Sequence, residues 1–454
     1  MRLTPSLVGT LIVCVIAMAP PAAAASGGDL DPSFGTGGRV STGRTFSGTD
    51  VALQSDGKIV VGGAVADNEG VSRSAVERYD TDGNLDPSFG IDGLAVTPFR
   101  LAAGCWDATT AVVPQADGKI VAVGFSYCAR SVFAVARYDT NGTLDPSYGT
   151  GGKVLTSFGP SGACSSHAEA GAIQSDGRVV AAGVMHCRAG DYRFAVARYA
   201  IDGTLDSGFG HGGEVRTNFT PGYDDASGVA LTPGGRIVVV GTSSFGDSDK
   251  PDAQPAFALA RYRRDGTLDP TFGGDGTVMR SFQSRRCGGG AEADAVAIQD
   301  DGKIVAAGLT GCSAKAGAVP TPSFALARLR WSGAFDPTFG GDGRVTTVFR
   351  QGDRADRALD VAIQGNGAIV AGGIVGVTET DDRSFFGLAR YTPGGRLDRT
   401  FGGDGKVTTA FGGRHCSSDI RAIVIQPHGR IVATGSSCAG LRGPKFSMAR
   451  YLPS

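Results

Sequence analysis

The sequence lacks several features that would place it in a familiar functional class. Its 43 lysines and arginines are balanced by 44 aspartates and glutamates, so the formal net charge of −1 does not favour a nucleic acid or an anionic membrane as partner. No apolar segment of membrane-spanning length follows the N-terminal region. Neither Gly-x-Ser-x-Gly nor His-Glu-x-x-His occurs, which removes the simplest serine hydrolase and zinc protease signatures.

A helical period of apolar residues is also absent, whereas glycine is abundant. The 72 glycines have no Gly-X-Y period, which excludes a collagen-like chain and favours frequent tight turns. A length of 454 residues would ordinarily suggest about three domains. An internal repeat overrides that estimate, because one closed ring of repeats can use the whole chain. We therefore predict a single domain over residues 26–454.

The first 25 residues have the pattern of a secretory signal peptide. Arg2 supplies a positive charge, residues 7–18 form an apolar stretch, and residues 23–25 are alanines typical of a cleavage site. A lipoprotein anchor at Cys14 is the alternative, but Val13 is bulky where a small residue is expected. We therefore expect residues 1–25 to be removed and the mature protein to be secreted and extracellular.

A strand–turn–strand pattern occurs seven times. Its first copy runs from Asp50 to Gly63 and places Asp56 and Gly57 between two alternating apolar runs. Asp-Gly and Asn-Gly favour a hairpin because both central residues of a type I′ turn need a positive φ angle. The equivalent turns lie at residues 117–118, 176–177, 234–235, 301–302, 366–367 and 428–429.

A second motif, which reads Leu-Asp-x-x-Phe-Gly in most copies, also recurs seven times, beginning at residues 30, 85, 144, 205, 268, 335 and 397; Phe335 replaces the leucine in one copy and Tyr148 the phenylalanine in another. A glycine-rich turn and a short strand follow each copy, then the hairpin, then a strand ending in Arg-Tyr. Four short strands per unit are typical of one propeller blade. We predict an all-β, seven-bladed β-propeller whose four-stranded blades run from strand A at the centre to strand D outside.

The phase of the repeat predicts how the ring closes. The chain starts with a spare D strand, residues 39–42, and ends with a C strand, residues 446–451. Pairing these two segments removes two exposed strand edges. We therefore predict that the N-terminal strand completes the C-terminal blade.

Eight cysteines remain after removal of Cys14, and they form pairs separated by 22 to 25 positions. Each pair lies just before strand A and just after strand B, two points that are neighbours in an antiparallel hairpin. In an oxidising compartment we expect disulfides within repeats. The predicted bonds are Cys105–Cys128, Cys164–Cys187, Cys287–Cys312 and Cys416–Cys438. A Cys2His2 metal site with His167 and His186 is the alternative in the third repeat.

These motifs resemble those of the delta-60 repeat family of exported bacterial proteins. That family carries Leu-Asp-x-x-Phe-Gly, Gln-x-Asp-Gly-Lys-Ile-Val-x-x-Gly and Ala-x-Ala-Arg-Tyr signatures, and the similarity covers residues 29–451. The resemblance implies a β-propeller-like repeat fold and export, and it brings no established activity, substrate or catalytic residue. Local departures include Pro233-Gly234-Gly235, which replaces the Asp-Gly turn, and Leu329, which replaces the tyrosine.

The recurrent arginines of strand C and aspartates of Leu-Asp-x-x-Phe-Gly could suggest an active site. Because both occur in seven equivalent copies, whereas a catalytic site needs one arrangement, we interpret them as ion pairs and turn caps linking strands C and D. The arginines are residues 78, 137, 198, 261, 328, 390 and 450, and the aspartates are residues 31, 86, 145, 206, 269, 336 and 398.

Structural calcium is a further hypothesis for the repeats that lack a disulfide. Repeats 1, 4 and 6 carry acids on both loops that the disulfide would join, and oxygen ligands suit extracellular Ca²⁺. The acids considered include Asp50, Asp224, Asp225, Asp247 and Asp249. A solvated acidic rim is the alternative, and no other cofactor is expected.

Recognition is expected on one rim of the propeller. The B–C and D–A loops emerge there and vary in length, and variable loops on a rigid scaffold usually carry binding residues. The candidate ligand-binding residues are Trp106, Phe125, Tyr127, Tyr192, Tyr223 and Phe245, whose alternative role is to cover the loop cores.

Two functional classes remain. The favoured one is a secreted, non-enzymatic and monomeric binding or scaffold protein that recognises an extracellular protein or glycan. The alternative is a lyase or hydrolase with its site at the channel mouth. That alternative requires a convergent set of groups, such as a histidine, an arginine and a tyrosine within reach of one another.

Overall fold

Short antiparallel strands make up nearly all of the regular structure in the computed structural model. It describes residues 26–42, 44, 46–66, 69–100, 102, 104–159, 164–187, 191–244, 255–282, 290–312, 321–349, 356–376, 383–412, 416–440 and 443–453. Within these ranges there are 28 strands and one 3-10 helix, Pro427–Gly429. No helix in the same ranges is long and apolar enough to cross a membrane. The predicted signal peptide lies outside the described residues.

The strands form seven sheets of four antiparallel strands, as a seven-bladed propeller requires. Blade 1 contains β2 (Phe46–Leu53), β3 (Ile59–Ala66), β4 (Ser72–Tyr79) and β5 (Leu94–Thr97). Blade 2 contains β6 (Trp106–Pro114), β7 (Ile120–Tyr127), β8 (Ser131–Tyr138) and β9 (Lys153–Thr156). Blade 3 contains β10 (Ser165–Ile173), β11 (Val179–His186), β12 (Tyr192–Tyr199) and β13 (Glu214–Thr217). Blade 4 contains β14 (Tyr223–Leu231), β15 (Ile237–Ser244), β16 (Ala256–Tyr262) and β17 (Thr277–Arg280).

The remaining blades follow the same order of strands A to D. Blade 5 contains β18 (Ala291–Ile298), β19 (Ile304–Cys312), β20 (Thr321–Leu329) and β21 (Arg344–Thr347). Blade 6 contains β22 (Arg357–Ile363), β23 (Ile369–Val375), β24 (Phe385–Tyr391) and β25 (Lys406–Thr409). Blade 7 contains β26 (Ser418–Ile425), β27 (Ile431–Gly440), β28 (Gly443–Tyr451) and, as its fourth strand, β1 (Arg39–Ser41).

The ring closes as the sequence predicted. β1 pairs antiparallel with β28, with Arg39 opposite Ala449 and Ser41 opposite Ser447. The outermost strand of blade 7 therefore comes from the N-terminal end of the domain, and its inner three strands come from the C-terminal end.

Six of the seven A–B turns differ from the predicted type I′ geometry, because only their second residue, a glycine, has a positive φ angle, whereas in blade 7 both His428 and Gly429 have one. In blade 1 the amide of Gly57 donates to the carbonyl of Gln54, and the amide of Gln54 donates to the carbonyl of Lys58. Gly57 has a φ of 85°, whereas Asp56 is absent from the described residues with positive φ. This is a type I turn closed by a glycine in the left-handed region, and the Asp56 carboxylate accepts a hydrogen bond from the Lys58 amide at 3.1 Å.

Every strand A contains a β-bulge at the same place. In blade 3 the pairing of β10 with β11 shifts between Ala168 and Ala170, so that Glu169 is the extra residue. The partner across the bulge is Gly183, where an added Cβ would lie 2.0 Å from the His167 carbonyl oxygen. The glycine that ends the Ile-Val-x-x-Gly signature is therefore required by the bulge.

Hydrophobic clusters join neighbouring blades. One cluster combines Val123 and Phe133 of blade 2 with Ala181 and Tyr199 of blade 3, all fully buried. The strand-C tyrosine also donates to the preceding blade, since the Tyr199 hydroxyl lies 2.8 Å from Thr156 Oγ1. The same pairing occurs for Tyr138, Tyr262, Tyr391 and Tyr451.

The recurrent Arg and Asp residues form a repeated clamp between blades, which confirms their structural interpretation. In blade 2, Arg137 Nε lies 2.7 Å from Asp145 Oδ2, and its Nη1 donates to the carbonyl of Ile201 in blade 3. The guanidinium also stacks on the Tyr148 ring at 4.5 Å. The signature lysine joins the same carboxylate, since Lys119 Nζ lies 2.7 Å from Asp145 Oδ2.

The clamp is present in all seven blades. Each strand-C arginine pairs with the aspartate of its own blade. Each also donates to a carbonyl of the next blade, namely that of Thr140, Ile201, Arg264, Trp331, Pro393, Pro453 or Thr81. Because the last acceptor belongs to blade 1, the clamps form a closed circle.

Three of the four predicted disulfides are formed. They are Cys105–Cys128, Cys164–Cys187 and Cys416–Cys438. In blade 3 the cysteines are bonded to each other, so the Cys2His2 alternative is wrong. The fourth predicted pair lies outside the described residues, because Cys287 and the side chain of Cys312 are not described.

Candidate functional site

One rim of the propeller carries a group of aromatic side chains. This upper rim is where strands A and C begin and strands B end, whereas the A–B turns and C–D connections form the lower rim. Trp106 opens β6 and Tyr127 ends β7, and the two residues face each other across the strands. Their ring centroids are 5.6 Å apart, and they are 38% and 37% exposed.

The disulfide of blade 2 fixes this aromatic pair. Cys105 directly precedes Trp106, and Cys128 directly follows Tyr127, so the Cys105–Cys128 bond closes the hairpin next to both rings. A covalent closure at this point restrains the ends of both strands. The two rings are therefore presented to solvent on a braced edge.

Ring contacts extend from this pair into blade 3. The Phe125 ring packs edge-on against Trp106 with centroids 5.1 Å apart, and the His167 ring stacks on Phe125 at 4.8 Å. Phe125 itself is buried, so it supports its neighbours as the covering alternative supposed. Burial and the proximity of His186 lower the pKa of His167.

A second run of rings crosses from blade 3 into blade 4. The His186 ring stacks on the Tyr192 ring with centroids 4.9 Å apart. The Tyr192 ring centroid is also 4.9 Å from that of Tyr223, the first residue of β14. The Tyr223 hydroxyl donates to Asp225 Oδ2 at 2.7 Å, and burial together with that carboxylate raises the pKa of Tyr223. We call the two runs together the aromatic arc, which consists of Trp106, Phe125, Tyr127, His167, His186, Tyr192 and Tyr223. Phe245 lies outside the described residues.

The aromatic arc leads to the central channel, whose wall is made by the bulged strands A. The bulge turns one side chain of each blade toward the axis, and these seven residues are Thr49, Thr110, Glu169, Ser227, Asp294, Leu359 and Arg421. All seven line a cavity of about 400 Å³ together with Asp50, Asp225 and Asp360. The side chains at this level differ from blade to blade, although the backbone repeats.

Acidic groups dominate the channel wall in blades 3 to 5. Glu169, Asp225 and Asp294 line the cavity, and Glu292 is two residues before Asp294 on β18. Arg357 of blade 6 opposes part of this charge, since its Nε lies 2.8 Å from Asp294 Oδ2 and its Nη1 lies 3.1 Å from Glu292 Oε2. The channel therefore combines a negative segment with local ion pairs around Arg357.

Several of these carboxyl groups titrate near neutrality. Burial, reinforced by the charge of Asp225, raises the pKa of Glu169 to about 7. Burial also raises the pKa of Asp294 to about 6, although its bonds with Arg357 act in the opposite direction. In the same wall burial among the surrounding strands raises the pKa of Asp50 to about 6 and that of Asp360 to about 7.

Asp50 and Asp360 act as links between blades. Asp50 Oδ2 accepts a hydrogen bond from the Val112 amide of blade 2 at 2.7 Å. Asp360 Oδ2 accepts one from the Ile423 amide of blade 7, also at 2.7 Å. These two carboxyl groups therefore contribute to the ring as well as to the channel wall.

The acids proposed for calcium binding occupy strands rather than the loops before them. Asp50 lies inside β2, and Asp224 and Asp225 lie inside β14, because strand A starts earlier than the sequence pattern indicated. Asp224 is fully buried and accepts a hydrogen bond from the Phe219 amide at 2.8 Å. Asp247 and Asp249 lie outside the described residues. The part of the chain that is described contains no group of three or more His, Cys, Asp or Glu side chains arranged to hold a metal ion.

Sequence reasoning missed the channel residues Glu169, Asp294, Arg357 and Arg421. Three of them, Glu169, Asp294 and Arg421, are bulge residues that the sequence could have indicated. Each bulge residue precedes the signature glycine of its blade by 14 positions, as Glu169 precedes Gly183. Arg357 could be found in the same way, two positions before the bulge residue Leu359. Counting back from the glycines would have identified the channel wall.

Solved structures with a similar fold have low sequence identity to this chain. A protein of unknown function from Dyadobacter fermentans is 10% identical, over 92% of this chain and 100% of that chain, with a TM-score of 0.42. An ulvan lyase of a new polysaccharide lyase family is 9% identical, over 95% and 94% of the two chains, with a TM-score of 0.49. Extracellular domains 1–2 of Drosophila semaphorin 1a are 9% identical, over 90% and 87%, with a TM-score of 0.45. These similarities concern the fold alone.

Comparison at the level of sequence gives a more specific result. No curated protein matched the sequence. Five segments, residues 54–89, 115–148, 174–209, 233–272 and 299–339, match the family described as a domain of unknown function (DUF5122) beta-propeller. The chain is therefore similar, in five of its seven repeats, to a family of propeller repeats.

Proposed function

We propose that this protein is a secreted, monomeric propeller of the delta-60 type that binds a glycan through the aromatic arc. The observation that carries the proposal is the solvent-facing pair Trp106 and Tyr127 beside the Cys105–Cys128 bond. Indole and phenol rings present flat apolar faces with a polar edge, which suits the apolar faces and hydroxyl groups of sugars. Little conformational entropy is lost on binding, because the strand ends are already restrained.

The geometry of the aromatic arc favours an extended ligand. The contacts from Tyr127 to His167 and from His186 to Tyr223 extend over three consecutive blades. A chain of sugar units can contact several rings in succession, and each added contact strengthens binding. We therefore expect affinity to rise with the length of the oligosaccharide.

A glycan and surface-protein array probed with the secreted protein tests the proposal. We expect binding to oligosaccharides, and we expect Trp106→Ala and Tyr127→Ala to reduce it about tenfold or more. Trp331→Ala is the matched control, since Trp331 is 39% exposed but follows β20 on the lower rim. Binding that survives both upper-rim substitutions, or that is confined to proteins, would contradict the proposal.

A second candidate function is catalysis at the channel mouth, and one observation favours it. The Tyr223 hydroxyl is bonded to Asp225, and Arg357 lies on the same channel wall with Glu292 and Asp294. These groups offer a phenol, carboxyl groups and a guanidinium, whereas the ring of His167 is stacked on Phe125. Incubation with the bound glycan should then generate new chain ends, and Tyr223→Phe should stop cleavage while leaving binding intact. Unchanged glycan length with the wild-type protein would reject this candidate.

A further inference from the structure

The inner end of the aromatic arc lies beside the acidic segment of the channel. Tyr223 ends the second run of rings and donates to Asp225, which lines the channel cavity. His167 ends the first run and lies two residues before Glu169 on β10. A ligand lying along the rings therefore reaches carboxyl groups in blades 3 and 4.

Glu169 is the carboxyl group best placed to receive a new partner. It is the bulge residue of β10 and lines the channel cavity. Within the described residues its carboxylate has no hydrogen bond and no ion pair, in contrast to Asp294, which Arg357 holds. Burial raises the pKa of Glu169, and the neighbouring charge of Asp225 raises it further. A cationic group between the two would remove this repulsion.

The wall as a whole keeps an excess of negative charge. At the bulge level and the level two residues before it, the acids are Glu169, Asp225, Glu292, Asp294 and Asp419, and the basic groups are His167, Arg357 and Arg421. Burial lowers the pKa of His167, which favours its neutral form. Arg357 is paired with Glu292 and Asp294, and Arg421 is paired with Asp419. Among the described residues Glu169 therefore has no arginine partner, and Asp225 forms no ion pair, although the more distant charge of Arg357 acts on it.

We propose that the glycan recognised by this protein bears free amino groups, with the aromatic arc stacking on its sugar rings and Glu169 and Asp225 accepting hydrogen bonds from its ammonium groups. The inference rests on the proposed glycan-binding function and specifies the chemical class of the ligand. An anionic glycan, carrying uronate or sulfate groups, would meet carboxylates at the same place and be repelled.

Oligomers of β-linked glucosamine and of N-acetylglucosamine, matched in length, test the proposal by isothermal calorimetry. A charge-assisted hydrogen bond to a carboxylate justifies a preference of about tenfold or more for the amino oligomer. That preference should shrink as salt is added, because salt screens charges at an open channel mouth. Equal affinities, or tighter binding of the acetylated oligomer or of a uronate oligomer, would overturn the proposal.

Variants separate this inference from the proposed function. Glu169→Gln removes the charge of a side chain that has no partner among the described residues, so it should reduce the preference several-fold, with Asp225 still present, and leave binding of the acetylated oligomer unchanged. Asp176→Asn, which removes an exposed acid on the lower rim, is the matched control and should retain the preference. Trp106→Ala should weaken both oligomers equally. Loss of both oligomers in Glu169→Gln would contradict the assignment of charge selectivity to this residue.

Competition with a polyamine tests whether the ligand needs sugar rings in addition to ammonium groups. Spermidine carries ammonium groups without sugar rings, so we expect it to compete at least about tenfold more weakly than the amino oligomer. Competition by spermidine as strong as that of the oligomer would overturn the amino-glycan class. If no oligosaccharide of any charge bound the wild-type protein, the proposed function itself would fail.

Discussion

Arg450 and Asp31 form a buried ion pair across 419 positions of sequence, with Arg450 Nε 3.0 Å from Asp31 Oδ2. The same arginine donates to the carbonyl of Thr81 in blade 1. In the other six blades the corresponding arginine and aspartate are close in sequence, as with Arg328 and Asp336. Here the clamp joins the two ends of the domain, in addition to the pairing of β1 with β28.

The first prediction concerns this closing clamp. Arg450→Ala and Arg328→Ala each remove a buried guanidinium and its bonds to the aspartate and to the next blade, whereas Arg430 and Lys303 still face the two aspartates. Each substitution should therefore lower the free energy of unfolding by roughly 2–3 kcal/mol. Only Arg450→Ala should increase hydrogen exchange in β1 and β28, because its clamp holds the junction of the ring. Urea unfolding and exchange mass spectrometry measure the two effects. Equal exchange patterns in the two variants would show that the closing clamp has no special role.

The second prediction compares two disulfides. Loss of a disulfide that closes a loop of 22 or 23 residues should cost about 3 kcal/mol, both for Cys105–Cys128 and for Cys416–Cys438. Replacing Cys105 and Cys128 by serine should also weaken glycan binding, because Trp106 and Tyr127 lose their brace. Serines at Cys416 and Cys438 should leave binding unchanged. The prediction would be refuted by similar affinities for both double variants.

The third prediction concerns pH and stability. Glu77 is fully buried in blade 1 at a position where the other blades have alanine, such as Ala136 and Ala449. It accepts a hydrogen bond from Tyr79 and lies 3.7 Å from Arg44 Nη1. Burial raises its pKa from 4.5 to about 7. Folding is therefore coupled to proton uptake between these two values.

The sign of this coupling sets the expected result. Between about pH 4.5 and pH 7 the folded chain keeps the Glu77 proton and the unfolded chain does not, so stability is fully present below this window and falls as the pH rises through it. The loss should be about 3 kcal/mol. Denaturant melts at several pH values should show the slope in the wild type and a smaller slope in Glu77→Ala. Parallel pH profiles would contradict the assignment.

The fourth prediction uses the bonds between tyrosine and threonine across blades. Thr97 Oγ1 lies 2.7 Å from the Tyr138 hydroxyl, whereas the buried hydroxyl of Thr42, at the equivalent place beside blade 1, has no hydrogen-bond partner among the described residues. Thr97→Val should therefore cost about 1–3 kcal/mol, and Thr42→Val should be neutral or slightly stabilising. Thermal unfolding of the two variants measures the difference. Equal losses would show that the hydroxyl of Thr42 is bonded in solution.

The features that followed from the sequence depend on spacing. Blade number, strand order, three disulfides and the pairing of β1 with β28 follow from repeats and from the phase at which the chain starts and ends. Antiparallel pairing brings residues at fixed separations together, so Cys105 and Cys128 could be matched before any coordinates were known. The seven-fold Arg and Asp positions were likewise interpretable, because seven equal sites indicate a scaffold.

The features that could not be predicted from the sequence depend on the insertion or conformation of a single residue. A bulge inserts one residue and reverses which side chains face the axis, so alternation alone could not place Glu169 or Asp294 in the channel. The predicted type of the A–B turn was also wrong in most blades, since one glycine in the left-handed region is compatible with a type I turn followed by a bulge as well as with a type I′ turn. Arg280 occupies the threonine position beside blade 5, where Leu329 replaces the tyrosine, and only the register reveals that correspondence.

The glycine opposite each bulge has a consequence for how this protein can change. A Cβ at Gly124 or Gly308 would lie within 2.0 Å of a backbone oxygen, so the backbone at each bulge is determined by strand B and not by the residue that projects from strand A. Threonine, glutamate, serine, aspartate, leucine and arginine all occupy that site within one molecule. The residues that line the channel can consequently be substituted one blade at a time. Ligand preference can diversify in this way while the backbone of the propeller stays the same.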